Sequence, residues 1–183
     1  MATQRIAVLA PGGGYTVQAP LLAYARLAVE RRDAEVRPIE WRFPEDFDDS
    51  PKQRFELVSS QVAETLQDDK ALVIGKSLGS LAAGVVAIRA LPAIWLTPLL
   101  TTPEVVEAIQ AAERPPLLIG GAADRLWDGP LARRISPHVL EIPDANHALY
   151  VPGPVSATAA AAAQVADAVE AFIDTWVWPE PTD

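Results

Sequence analysis

One serine, one aspartate and one histidine in this chain stand where they could act together on an acyl bond. Ser77 lies in Gly75-Lys76-Ser77-Leu78-Gly79, between the apolar residues 71–74 and a small-residue stretch over 81–87. A strand, a sharp turn and a helix are expected there, the setting in which a serine is held in a strained backbone and its Oγ is lifted clear of a sheet. Gly75 and Gly79 omit side chains where strand and helix approach most closely. Asp124 follows Gly120-Gly121-Ala122-Ala123, and His147 follows Pro143-Asp144-Ala145-Asn146. Serine is a poor nucleophile until a neutral imidazole takes its proton. A carboxylate then keeps that imidazole in the needed tautomer and stabilises the imidazolium.

Other residues compete for these roles. The chain has two histidines, and His138 falls at the entrance of a strand, far from its C-terminal end, where a structural role is expected. Among the acids, Asp128 precedes Gly129-Pro130 and is accounted for as a helix cap. Asp124 has no such duty and lies nearer a strand end, so it is preferred; Asp144, in the histidine loop, comes third. An oxyanion needs two backbone donors. Leu78 N–H, just past the serine, offers one, and the turn Gly12-Gly13-Gly14 offers the other through Gly13 or Gly14.

The elements that must position these residues alternate. Residues 6–10 form an apolar run, as in a strand buried on both faces, ended by Pro11 and three glycines. A helix is expected over 19–31 with Leu21, Leu22, Tyr24, Ala25 and Leu27 inward, then a strand over 36–41 that Pro38 places near an edge. The acidic stretch 43–49 reads as a solvated loop. Ser50, with Pro51 and Gln53, starts a helix running to about Gln67. Further strands are expected over 92–96, 116–120 and 139–142. Helices are expected from Thr102-Pro103-Glu104 onward, near 130–135, and over 155–176. In the last of these, Val165, Val169, Phe172, Ile173 and Trp176 share an inner face, Pro179 stops extension, and 178–183 reads as a disordered tail. Six strands alternating with helices imply an α/β protein, a three-layer sandwich around a mainly parallel six-stranded sheet, in a single domain over 1–183. Ser77, Asp124 and His147 then all follow strand C-termini, the ligand-binding edge of such a sheet.

The bulk properties agree with this and exclude other classes. Half of the 183 residues are apolar, enough for a sizeable core. No run reaches membrane-spanning length, and residues 1–5 lead into a strand without an apolar leader, so no membrane partner is expected. With no cysteine there is no disulfide or thiol chemistry, and a cytoplasmic location is the simplest expectation. A net charge of −9 argues against nucleic acid.

With the order Ser77…Asp124…His147 the chain resembles a small α/β-hydrolase fold protein. The segments around Ser77, residues 120–124 and Asn146-His147 match that family's elbow, acid loop and histidine loop. The resemblance implies strand order 2-1-3-4-5-6, no cap domain, and a serine hydrolase. It would be a carboxylic ester hydrolase cleaving an ester, thioester or similar acyl bond of a small molecule through an acyl-enzyme, with no cofactor or metal. Pro11 stands where such proteins commonly carry a histidine, and the N-terminal hairpin of larger members is missing. The alternative is a hydrolase-fold protein that mainly binds a protein partner. Two other motifs fail: Lys70 stands where a phosphate-binding loop ending in Gly75-Lys76-Ser77 needs glycine, and Val17 where a dinucleotide fingerprint needs its third. Residues 97–102 are too few for a lid, so Ser77 is expected in a shallow cleft lined by Tyr15, Leu99 and Trp127.

Overall fold

Strand residues point alternately to the two faces of a sheet, so a strand apolar at every position needs cover on both sides. The sheet meets that demand in a computed structural model, which describes residues 4–67 and 69–180. In β1 (Ile6–Ala10), Ile6, Val8 and Ala10 enter one core cluster while Ala7 and Leu9 enter the other. The first core lies under α2 (Pro51–Leu66), α3 (Ala83–Ile88), α4 (Pro103–Gln110) and α5 (Gly129–Ile135). The second lies under α1 (Pro20–Glu30) and α6 (Val155–Phe172), which pack against each other.

The remaining strands are β2 (Glu35–Pro38), β3 (Leu72–Lys76), β4 (Ala93–Leu96), β5 (Leu117–Gly121) and β6 (His138–Ile142). Their order is β2-β1-β3-β4-β5-β6, every pair parallel, as the resemblance implied. β2 is an edge strand, where the missing N–H of Pro38 costs no central ladder bond. The order reverses between β1 and β3, so the turns leaving their C-termini flank an open crevice.

Several local expectations need correction. Tyr24 and Leu27 of α1 are exposed, because only the stripe Leu21, Leu22, Ala25, Ala28 and Val29 meets the sheet and α6. Ser50 caps α2 by accepting from Gln53 N–H, but the Thr102 side chain makes no such bond at α4. The helix after Ser77 begins as a 3₁₀ segment, Ser77–Ala82, before α3. At the far end, α6 widens into a π turn, Ile173–Val177. The wider turn carries Trp176 off the inner stripe: it is 56% exposed, its ring lying 4.8 Å from His138. The expected tail does not begin at Trp178. Trp178 donates its backbone N–H to Ile173, packs on the second core and lies under the Arg5 guanidinium. Residues 181–183 are outside the described part of the chain. No helix among the described residues is long and apolar enough to cross a membrane.

Candidate active site

Ser77 begins where β3 ends. Its φ of +50° is a left-handed conformation that costs a non-glycine residue roughly 1–3 kcal/mol and is kept only where the surroundings enforce it. Two contacts enforce it here. A Cβ on Gly79 would run into the backbone carbonyl of Ala10 on β1, so glycine alone lets the 3₁₀ segment close over the sheet. Buried Ser80 donates its hydroxyl to the Ser77 carbonyl at 2.6 Å and accepts from Leu99 N–H at 3.1 Å. It thereby ties the turn to the segment after β4. Nothing in the sequence pattern marked Ser80 for this role.

Asp124 follows β5 and is buried; its Oδ1 accepts from Leu126 N–H at 2.9 Å. Its Oδ2 lies 2.7 Å from His147 Nδ1, and His147 Nε2 lies 2.8 Å from Ser77 Oγ. A carboxylate only accepts, so Nδ1 carries the proton of the neutral ring and Nε2 is left to accept from the serine. Asp128 does otherwise: it caps α5 by accepting from Leu131 N–H at 2.8 Å. Asp144 is exposed on the histidine loop. That loop is shaped by Asn146, whose side-chain oxygen accepts from Ala148 and Tyr150 N–H. His138 packs edge-on against Phe172 at the start of β6, and burial lowers its pKa.

A cavity of about 450 Å³ opens at Ser77, bounded by Gly13, Leu78, Leu99 and Leu126 and by Phe43, Phe47 and Leu57. The acidic stretch 43–49 is thus more than a solvated loop. Its two phenylalanines meet at a tilt with ring centroids 5.0 Å apart and wall the site, while Asp49 pairs with Arg54 of α2 at its margin. Leu99 also borders a second cavity of about 580 Å³ with Phe55, Leu81 and Thr102.

The expected lining is only partly met. Trp127 is 8% exposed and lies flat over Gly120, its indole N–H donating to Glu141 at 2.7 Å; it braces the aspartate loop from below, and Leu126 takes its place at the cavity. Tyr15 turns the other way because its hydroxyl accepts from Leu21 N–H at the start of α1, and it lines a neighbouring cleft. In the glycine turn, Gly13 borders the Ser77 cavity, and a Cβ on Gly12 would lie 3.6 Å from the Ser77 Cβ. Gly14 faces the neighbouring cleft instead, as Tyr15 N–H folds back to the Gly12 carbonyl.

Lys76, which no motif in the sequence accounts for, is the most unusual group of the site. Only 3% exposed, it donates from Nζ to the His147 carbonyl at 3.2 Å and sits 4.9 Å above the Tyr15 ring. Burial lowers its pKa to about 8, against the pull of Asp124. A lysine directly after the apolar run 71–74 and Gly75, at the end of an expected central strand, was the available signal. Among the described residues no three His, Asp or Glu side chains gather as a metal site would.

No family model matches the chain, and no curated protein matches it significantly. Solved structures do. An α/β serine hydrolase without a lid from Xanthomonas campestris matches with 14% identity and TM-score 0.63, over 99% of this chain and 86% of that one. Est1E from Butyrivibrio proteoclasticus, solved with ferulic acid, matches with 11% identity and TM-score 0.73, over 94% and 89%. The Pyrococcus furiosus esterase Pf2001 matches with 15% identity and TM-score 0.62, over 96% and 82%. At these identities the shared property is the fold: the chain has the α/β-hydrolase fold without a lid domain.

Proposed function

We propose that the protein is a serine hydrolase cleaving a carboxylic ester, thioester or similar acyl bond of a small molecule. One observation carries the reading: the unbroken hydrogen-bonded chain from Asp124 through His147 to Ser77. Three residues from three separate loops have no packing reason to meet in that order. Similarity in fold to solved hydrolases and esterases supports the same class.

In this mechanism Ser77 Oγ attacks the acyl carbon while its proton passes to His147 Nε2, and Asp124 stabilises the imidazolium. Negative charge on the carbonyl oxygen is met by the backbone N–H of Leu78 and of Gly13. His147 then gives its proton to the departing alcohol or thiol. Water, deprotonated by His147, releases the acid from the acyl-serine. The apolar walls Phe43, Phe47, Leu57 and Leu99 suit a short acyl or aryl group.

A fluorophosphonate probe tests the reading. Labelling of the wild type at Ser77, abolished in Ser77→Ala together with aryl acetate hydrolysis, is the expected result. A folded protein that neither labels nor hydrolyses would refute it and favour a protein-binding role for this fold.

A further inference from the structure

The residue next to the nucleophile is a buried cation that touches the loops after β1 and β6 and lies in the field of the aspartate after β5. The Lys76 stem passes beneath the glycine turn, where a Cβ on Gly12 would lie 3.4 Å from its Cδ. Its ammonium rests on the Tyr15 ring and donates to the carbonyl of His147, and it lies within the field of Asp124. Three loops, after β1, β5 and β6, therefore converge on one side chain carried by β3. We propose that Lys76 is a positioning residue: its ammonium holds the backbone of His147 so that Nε2 reaches Ser77, and the hold depends on the ammonium's charge. The proposal rests on the hydrolase reading for its catalytic consequence, though not for the clamp itself.

The alternatives for this lysine are weaker. A solvated surface cation would not be enclosed, and a phosphate ligand would need a loop where β3 runs as a regular strand. Burying an ammonium is costly unless it is partnered, and its partners here are the His147 carbonyl, the Tyr15 ring face and the Asp124 charge. Losing the proton weakens all three at once. The groups facing it are Asp124 after β5, His147 after β6 and Tyr15 after β1, with Tyr150 acting on Tyr15. Among them Lys76 has the proton that leaves near pH 8, since burial brings it down to about 8. Released from the clamp, the histidine loop shifts, and a displacement of about 1 Å at a reacting group can cost on the order of a hundredfold in rate.

Two readouts on the purified full chain test this. The first is the pH profile of fluorophosphonate labelling and aryl acetate kcat/KM from pH 6 to 10. The wild type should show an alkaline fall centred near 8. Lys76→Met should lose that limb and run about 10- to 100-fold lower at neutral pH, while Lys76→Arg should keep its activity into more alkaline solution. A wild-type profile flat through this range, which needs no variant to measure, would overturn the proposal; so would an unchanged limb in a folded Lys76→Met. The second readout is amide hydrogen exchange of residues 144–150, which needs no turnover. Exchange there should quicken about tenfold in Lys76→Met, as for loss of one anchoring hydrogen bond to a charged donor. Protection that depends on Lys76 in a protein that never labels would leave the clamp standing and remove the hydrolase reading. A labelled Ser77 beside a loop indifferent to Lys76 would do the reverse.

Discussion

Between pH 7.5 and 10 the protein should become more stable over the range in which it becomes less active. The perturbation is the titration of Lys76, whose pKa burial lowers from 10.5 to about 8 in the folded chain. In the unfolded chain it keeps the ordinary lysine value, about 10.4. Below pH 8 both states hold the proton, and the fold bears the cost of an enclosed charge. Above it the folded state releases the proton while the unfolded state retains it. Stability therefore climbs with pH until the unfolded lysine titrates as well. At about 1.36 kcal/mol per pKa unit, the gain from pH 7.5 to 10 is about 2 kcal/mol. Urea unfolding of the wild type and Lys76→Met at pH 7.5, 9 and 10 isolates the effect, because groups common to both cancel. The comparison should stop at pH 10. Tyr15, held above 10.0 mainly by burial, adds a slope of opposite sign beyond that point, and because its ring touches the Lys76 ammonium it does not cancel between the two proteins. Wild-type and Lys76→Met curves that run parallel across this range would refute the reasoning.

Four further outcomes are expected. Asp124→Asn should lower kcat by about four orders of magnitude at neutral pH with the fold intact, through the wrong imidazole tautomer. Asp128→Asn, which alters only a cap, should cost no more than about 1 kcal/mol in a denaturation curve and leave kcat alone. Gly79→Ala should be destabilised by more than about 3 kcal/mol in the same measurement, since its methyl meets the Ala10 backbone rather than a movable side chain. Aryl acetates and butyrates should be cleaved faster than esters of C12 or longer, without activation by micelles. Each buried CH₂ gains roughly 0.8 kcal/mol, but only while a cavity of about 450 Å³ has room for it. A preference for long chains would mean that the acyl group crosses Leu99 into the second cavity.

The strand order came only from the resemblance to α/β-hydrolase fold proteins, but the meeting of Ser77, Asp124 and His147 was legible in the residues because it follows from a single rule. In a parallel sheet every strand delivers its following loop to the same edge, so three loop residues could be placed without knowing any side-chain contact. The choice of Asp124 over Asp128 was legible too, since a cap position can be recognised locally. Residues whose direction depends on a distant partner were not. Trp127 follows Asp124 closely enough to suggest the cleft, yet Gly120 and Glu141 draw its ring beneath the loop. Tyr15 is turned away by a backbone amide of α1, and Trp176 by a π turn that no periodicity announces. Lys76 went unread because charge is ordinarily a mark of the surface.

Gly75 deserves a different reading from the one its motif suggests. A Cβ there would strike the Trp95 ring on the neighbouring strand, and a Cβ on Gly120 would strike Trp127 in the same way. Each glycine is thus half of a pair whose other half is an indole plate. The two pairs brace the strands that end at Ser77 and Asp124. Neither partner is free to vary alone: enlarging the glycine is harmful while the tryptophan stays, and shrinking the tryptophan leaves a void that a larger residue at the glycine position would fill. In descendants of this chain, substitutions at 75 and 95, and at 120 and 127, should therefore arrive together. At Gly75 the room so gained is limited, because a Cβ there would also lie 3.1 Å from the Gly79 backbone whatever stands at 95.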